Sequence, residues 1–119
     1  MKLTNKDAET YYNNLISISD KITGKFAYIV SRNIRKLNTE LKEYLDIKND
    51  CIKKYGEEGE DGIYSLRADS PKFNDYLTEM SQYDNIDIEV DIMKVNSDVI
   101  CESSLTASEM LLVDFMIEE

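Results

Sequence analysis

The chain contains no histidine. That absence excludes Ser-His-Asp and Cys-His nucleophile systems, histidine-containing zinc sites and imidazole proton shuttles. GxGxxG, GxSxG and the glycine-rich GKS/GKT phosphate loop are absent as well, so the usual dinucleotide, serine-hydrolase and nucleotide signatures are missing. There are two cysteines, Cys51 and Cys101, with no CxxC spacing, which is too few for a disulfide framework; both are expected to be reduced core residues. No stretch approaches the roughly 20 apolar residues that span a bilayer, and Met1 is followed by polar residues. The expectation is a protein of a reducing cytosol with no membrane contact. Glycine and proline are also scarce, with four and one in 119 residues.

With 42% apolar and 32% charged residues, the composition is that of an ordered globular chain of one-domain size. We read residues 1–119 as a single domain. Its net charge of −10 is unevenly distributed. Residues 1–56 carry 11 Lys/Arg against 7 Asp/Glu, whereas residues 57–119 carry 3 against 17. A mildly basic half precedes a strongly acidic one, a pattern that bears on association and steering.

Thr4, followed three residues later by Asp7, predicts a helix start, and Ala8, Tyr11, Tyr12, Leu15, Ile18 and Ile22 recur at helical spacing. The first helix is predicted over about 5–20, with a break at Gly24. From Lys25 to Tyr55 there is no glycine or proline, and Val30, Ile34, Leu37, Leu41, Tyr44, Lys48, Cys51 and Tyr55 alternate steps of four and three. A helix of that length would be on the order of 45 Å long, so its end either protrudes or is covered by a partner. Lys53-Lys54-Tyr55-Gly56 reads as its end, with Gly56 available for a left-handed cap.

Glu57, Glu58, Glu60 and Asp61 fall within six residues and predict an exposed acidic loop. A short strand is predicted over 63–67. Ser70-Pro71 is read as the N-cap and first position of a helix with Phe73, Tyr76, Leu77 and Met80 on its apolar face. Residues 86–92 alternate strictly between branched apolar and acidic types, which predicts a strand with Ile86, Ile88, Val90 and Ile92 inward and Asp87, Glu89 and Asp91 outward. A turn at Asn96-Ser97-Asp98 and a strand at Val99–Cys101 are expected next. Thr106 with Glu109 forms a capping box, with Leu105 and Met110 as its hydrophobic staple, before a final apolar helix. The fold class is therefore α+β: an N-terminal helical hairpin (1–56) with one long helix, then an acidic α/β part (57–119) with a small antiparallel sheet, a short helix and a C-terminal helix.

Carboxylates are the remaining chemistry. Alternate strand residues lie roughly 6.6–6.8 Å apart, too wide for three ligands of one metal, so no metal, cofactor or catalytic residue is assigned. A solvated outer strand face explains Asp87, Glu89 and Asp91 without any function. The sharper reading is that this ladder, with Glu57, Glu58, Glu60 and Asp61, imitates a phosphate row and binds a protein groove built for a polyanion. Arg32, Arg35 and Lys36 form a basic cluster near Lys25, read as solvated or paired with the chain's own acidic half. Direct nucleic-acid binding is disfavoured by the overall negative charge.

Met1-Lys2-Leu3-Thr4-Asn5, Lys54-Tyr55-Gly56 running to Asp61-Gly62, and Leu105-Thr106 with Met110 and the ending Phe115-Met116-Ile117-Glu118-Glu119 are the motifs of a resemblance. Through them the chain resembles an uncharacterised family of small bacteriophage and prophage proteins from Gram-positive bacteria. The resemblance implies a setting in the host bacterial cytoplasm, where small phage proteins serve as inhibitors of host defence or as assembly factors. The expectation is a non-enzymatic binding protein whose partner is a host or phage protein. One reading is an inhibitor of a nucleic-acid-binding defence enzyme such as a CRISPR nuclease. The alternative is a morphogenesis or minor structural factor that associates, or homo-oligomerises, through its long helix. A carboxylate-dependent enzyme is the third class.

Overall fold

The computed structural model describes residues 1–118; Glu119, the last residue of the quoted C-terminal motif, lies outside the described residues. Strand β1 (Lys2–Thr4) leads directly into α1 (Asn5–Ile18), a short 3-10 turn (Ser19–Lys21) follows, and α2 runs unbroken over Gly24–Tyr55. A hairpin of β2 (Glu57–Glu58) and β3 (Tyr64–Ser65) precedes α3 (Phe73–Asp84) and β4 (Asp87–Glu89). The chain closes with β5 (Val95–Asn96), α4 (Ser97–Cys101), α5 (Ala107–Leu112), a 3-10 turn (Asp114–Met116) and β6 (Ile117–Glu118). The α+β class holds, with helices dominant.

Helix α1 begins where its cap dictates, with Thr4 Oγ1 accepting from the Asp7 amide at 3.1 Å. The 32 residues of α2 form the long axis of a body measuring 48 × 31 × 22 Å. Its apolar seam is covered from within the chain, because α1 and α3 pack along it. Val30, Leu37, Leu41, Tyr44 and Cys51 are all buried, together with Leu15 and Ile18 of α1 and Met80 of α3. Lys48, the polar interruption of the seam, meets Glu9 of α1 at 2.7 Å. Ile34 and Tyr55, also on the seam, are half-buried.

The sheets depart furthest from the sequence expectation. Three two-stranded pairings replace one small sheet: β1 with β4 and β2 with β3, both antiparallel, and β5 with β6, parallel. The alternating run 86–92 contributes only three strand residues because β1, its partner, ends at Thr4 where α1 begins. Past β4 the Ile92 amide donates back to Val90 O at 3.0 Å, a tight turn that ends the extended backbone. Val90 and Ile92 are buried as expected and Ile88 is half-buried, but Ile86 is exposed.

Other local expectations are corrected by side-chain hydrogen bonds and packing. Asn96 Oδ1 accepts from the Asp98 amide at 2.9 Å, so the predicted turn is a helix cap and Val99–Cys101 is helical. Ser70 Oγ accepts from the Lys72 amide at 3.2 Å in a turn, and α3 starts only at Phe73. The capping box forms, with Thr106 and Glu109 exchanging bonds of 3.2 and 3.0 Å. The helix it starts is only six residues long. The crowded apolar run that follows cannot share one helical face. Val113 and Met116 turn into the core, and Phe115 stacks on Tyr11 with ring centroids 4.0 Å apart. Cys51 is buried, but Cys101 is exposed and not a core residue.

Candidate functional site

Glu57, Glu58, Glu60 and Asp61, predicted as a loop, lie on and at the turn of the hairpin. Its base is set by Gly56, whose φ of −91° is not the expected left-handed cap. Glycine is required there by crowding, since a Cβ would stand 2.5 Å from both Ile52 O and Ser65 O. The register pairs Glu57 with Ser65 and Glu58 with Tyr64. The turn is tied by Gly59 N to Ile63 O at 2.8 Å and by Asp61 Oδ1, which accepts from the Ile63 amide at 3.1 Å. Gly62, at φ +78°, supplies the left-handed residue. All four acidic residues are exposed, and none forms an ion pair with any described residue.

Asp87 and Glu89 lie on β4 and Asp91 just past it, and all three are exposed. Unlike the hairpin, each has a cation beside it. Lys2 Nζ lies 3.4 Å from Asp87, the Met1 amine 2.8 Å from Glu89, and Lys36 Nζ 3.5 Å from Asp91 while also donating to the Asp91 carbonyl at 2.9 Å. Such exposed pairs contribute little stability, but they cancel charge.

The two acidic groups do not form one site. Asp91 is anchored at Lys36 of α2, and the hairpin follows Tyr55 at the helix end. The 19 helical steps from Lys36 to Tyr55 place these stations roughly 28 Å apart. The segregation of charge along the chain is partly offset in space. Lys2, Lys21, Lys36, Lys54 and the Met1 amine from the first half each meet an acidic residue of the second. The four hairpin carboxylates stay without an ion pair to any described residue, as do the scattered Asp75, Asp98, Glu102 and Asp114, but only in the hairpin do four such residues fall within five positions.

Sequence reasoning placed Lys36 among solvated or paired residues without naming its partner, and Lys2 carried no signal. It also left unread a polar junction on α3. Glu79 accepts from Cys51 Sγ at 2.8 Å and pairs with Lys54 at 2.8 Å, and Tyr44 donates to Asp84 at 2.6 Å. Burial, then the Glu79 hydrogen bond, push the Cys51 thiol up to about 11, so at neutral pH it keeps its proton and is a poor nucleophile. Burial and Asp84 likewise hold the Tyr44 hydroxyl protonated. The Glu79 carboxyl is lowered by its bonds to Cys51 and Lys54. These groups fasten α3 to α2 and are fitted to keep protons where they are. Among the described residues no three His, Cys, Asp or Glu side chains converge as a metal site, and no described helix is long and apolar enough to cross a membrane. No protein-family model, no curated protein and no solved structure matches this chain.

Proposed function

We propose that the chain is a non-enzymatic binding protein of phage or prophage origin that occludes the polyanion groove of a host defence enzyme, such as a CRISPR nuclease. The observation that carries the reading is the hairpin. Four exposed carboxylates stand at one end of an elongated body with no ion pair to any described residue, while Asp87, Glu89 and Asp91 are paired. A groove that holds a guide–target duplex is lined with Lys and Arg at backbone spacing, and an uncompensated anionic projection is complementary to it. The phage setting rests on the resemblance in short motifs. The alternative, a morphogenesis factor joined through its long helix, loses support because the apolar seam of α2 is buried by α1 and α3.

The test is plasmid cleavage by a purified RNA-guided nuclease, with the protein added before the target DNA. Cleavage should fall, should recover as salt rises toward a few tenths molar, and should be restored when Glu57, Glu58, Glu60 and Asp61 are all changed to Lys. Inhibition that survives this reversal in a folded variant would sink the mimicry. Cleavage unaffected across nucleases of several types would remove the defence enzyme as target.

A further inference from the structure

The β1/β4 pair leaves one edge of β4 open, and the direction of its backbone groups follows from the observed bonds. Met1 and Val90 exchange bonds of 2.7 and 2.9 Å, the Asn5 amide donates to Ile86 O at 3.0 Å, and Leu3 lies opposite Ile88. Residues 86, 88 and 90 therefore turn their N–H and C=O toward β1, and the intervening residues turn theirs away. Asp91 O, on that outward side, is taken by Lys36. The backbone groups of Asp87 and Glu89 meet no further strand, since the sheet ends there. Beside Glu89, Val90 and Asp91 runs a groove of about 410 Å³ whose other wall is Arg35, Lys36, Thr39 and Glu40 of α2.

We propose that this edge receives an extended segment of a partner protein as an added third strand, one carrying Lys or Arg at alternate positions. This deepens the binding reading above and rests on it only in requiring a protein partner. An added strand would satisfy the free donors and acceptors of Asp87 and Glu89, the usual means by which an exposed edge captures a peptide. Charge selects the occupant. The side chains of Asp87, Glu89 and Asp91 are 55%, 75% and 98% exposed, so each carboxylate, although beside one cation already, keeps open surface toward an incoming one. Residues of the added strand on that same face would stand opposite them and are the cationic positions. Its other face would meet the helix wall, where Arg35 is balanced by Glu40 and Lys36 is already paired with Asp91, so nothing there calls for a cation and the intervening positions are neutral or apolar. A second copy of this chain pairing β4 to β4 would set carboxylates against carboxylates and is disfavoured. A nucleic-acid strand would be repelled.

Three short synthetic peptides of equal length decide the matter against the whole protein. The first alternates Lys and Val, the second has the same composition with the lysines contiguous, and the third is the alternating peptide with its pairing-edge amides N-methylated. The alternating peptide should bind and slow hydrogen exchange at the Asp87 and Glu89 amides. N-methylation should weaken it by at least about tenfold, because backbone bonds are lost at constant charge. Equal binding of all three peptides, or binding with no protection at Asp87 and Glu89, would overturn strand addition in favour of plain charge attraction. No binding of the alternating peptide overturns it outright. The hairpin variant with Glu57, Glu58, Glu60 and Asp61 changed to Lys should bind the alternating peptide undiminished. Failure at the β4 edge is thus separable from failure of the groove-occlusion reading, which is scored by nuclease cleavage.

Discussion

Asn33 holds Met93 by both ends of its side-chain amide: Nδ2 donates to the Met93 carbonyl at 3.0 Å, and Oδ1 accepts from the Met93 amide at 2.8 Å. The asparagine is fully buried in the first third of α2, so it acts as a fixed peptide unit offered by the helix to an irregular segment. This contact ties the chain after β4 to the helical half where no sheet continues. It supplies the partners that buried backbone needs.

Replacing Asn33 with Ala should therefore leave two part-buried polar groups of Met93 without their partner, at up to about 1–3 kcal/mol each. A loss of about 2–4 kcal/mol in urea unfolding is expected, with faster amide exchange at Met93. A loss below about 0.5 kcal/mol would show that the clamp is not needed.

The two cysteines should differ sharply in reactivity. Cys101 is exposed, while Cys51 is buried and donates to Glu79. A thiol reagent near pH 8 should modify one thiol quickly in the native protein, identified as Cys101 by mass spectrometry, and the second only on unfolding. Rapid modification of Cys51 in the folded state would contradict this packing.

Cys51 also predicts a pH dependence. Its thiol rises from an ordinary 9.0 to about 11 on folding, so the unfolded chain releases that proton first. The corresponding stability is complete below about pH 9 and disappears as pH climbs through 11. Tyr44, raised by burial and Asp84, acts in the same direction from about pH 10 upward. Alkaline destabilisation followed by circular dichroism should start near pH 9 in the native sequence. In Cys51→Ala the fall over pH 9–11 should be shallower relative to its own value at pH 7.

Two glycines should respond differently to alanine. At Gly56 the new Cβ would collide with carbonyls of Ile52 and Ser65, backbone atoms that cannot swing aside. A loss of about 1–3 kcal/mol is expected there, with disturbance of the hairpin. Gly24 has open space but a φ of +72°, so only the left-handed conformation is penalised, by about 1–2 kcal/mol. Thermal unfolding should rank Gly56→Ala below Gly24→Ala, and only the former should alter the amide signals of 57–65.

The C-terminal capping box offers an acid-side test. The Glu109 carboxyl is held below its ordinary value chiefly by Lys21, then by the Thr106 amide. Its stabilisation is present above the unfolded value near 4.5 and is lost as pH falls through the lower folded one. Glu109→Gln should flatten that part of the acid unfolding curve. Thr106→Ala, which removes the cap, should cost about 1 kcal/mol at neutral pH.

Features set within a turn or two of chain were legible in the residues alone. Thr4 and Thr106 start their helices as read, the apolar rhythm from Val30 to Tyr55 is one helix, and the acidic residues at 57–61 are exposed. Each depends on neighbours close in sequence, so periodicity and cap chemistry suffice. Tertiary structure alone decided that Lys2–Thr4 pairs with Asp87–Glu89, that the seam of α2 is filled by α1 and α3, and that Cys101 faces outward. It also separated two acidic groups that look alike in sequence, because a cation such as Lys36 reaches Asp91 only when chain 55 residues distant folds beside it. Local rules state what a residue prefers. Which charges stay unpaired depends on what the rest of the chain brings within a few ångströms, and here that leaves the hairpin bare and the β4 ladder balanced.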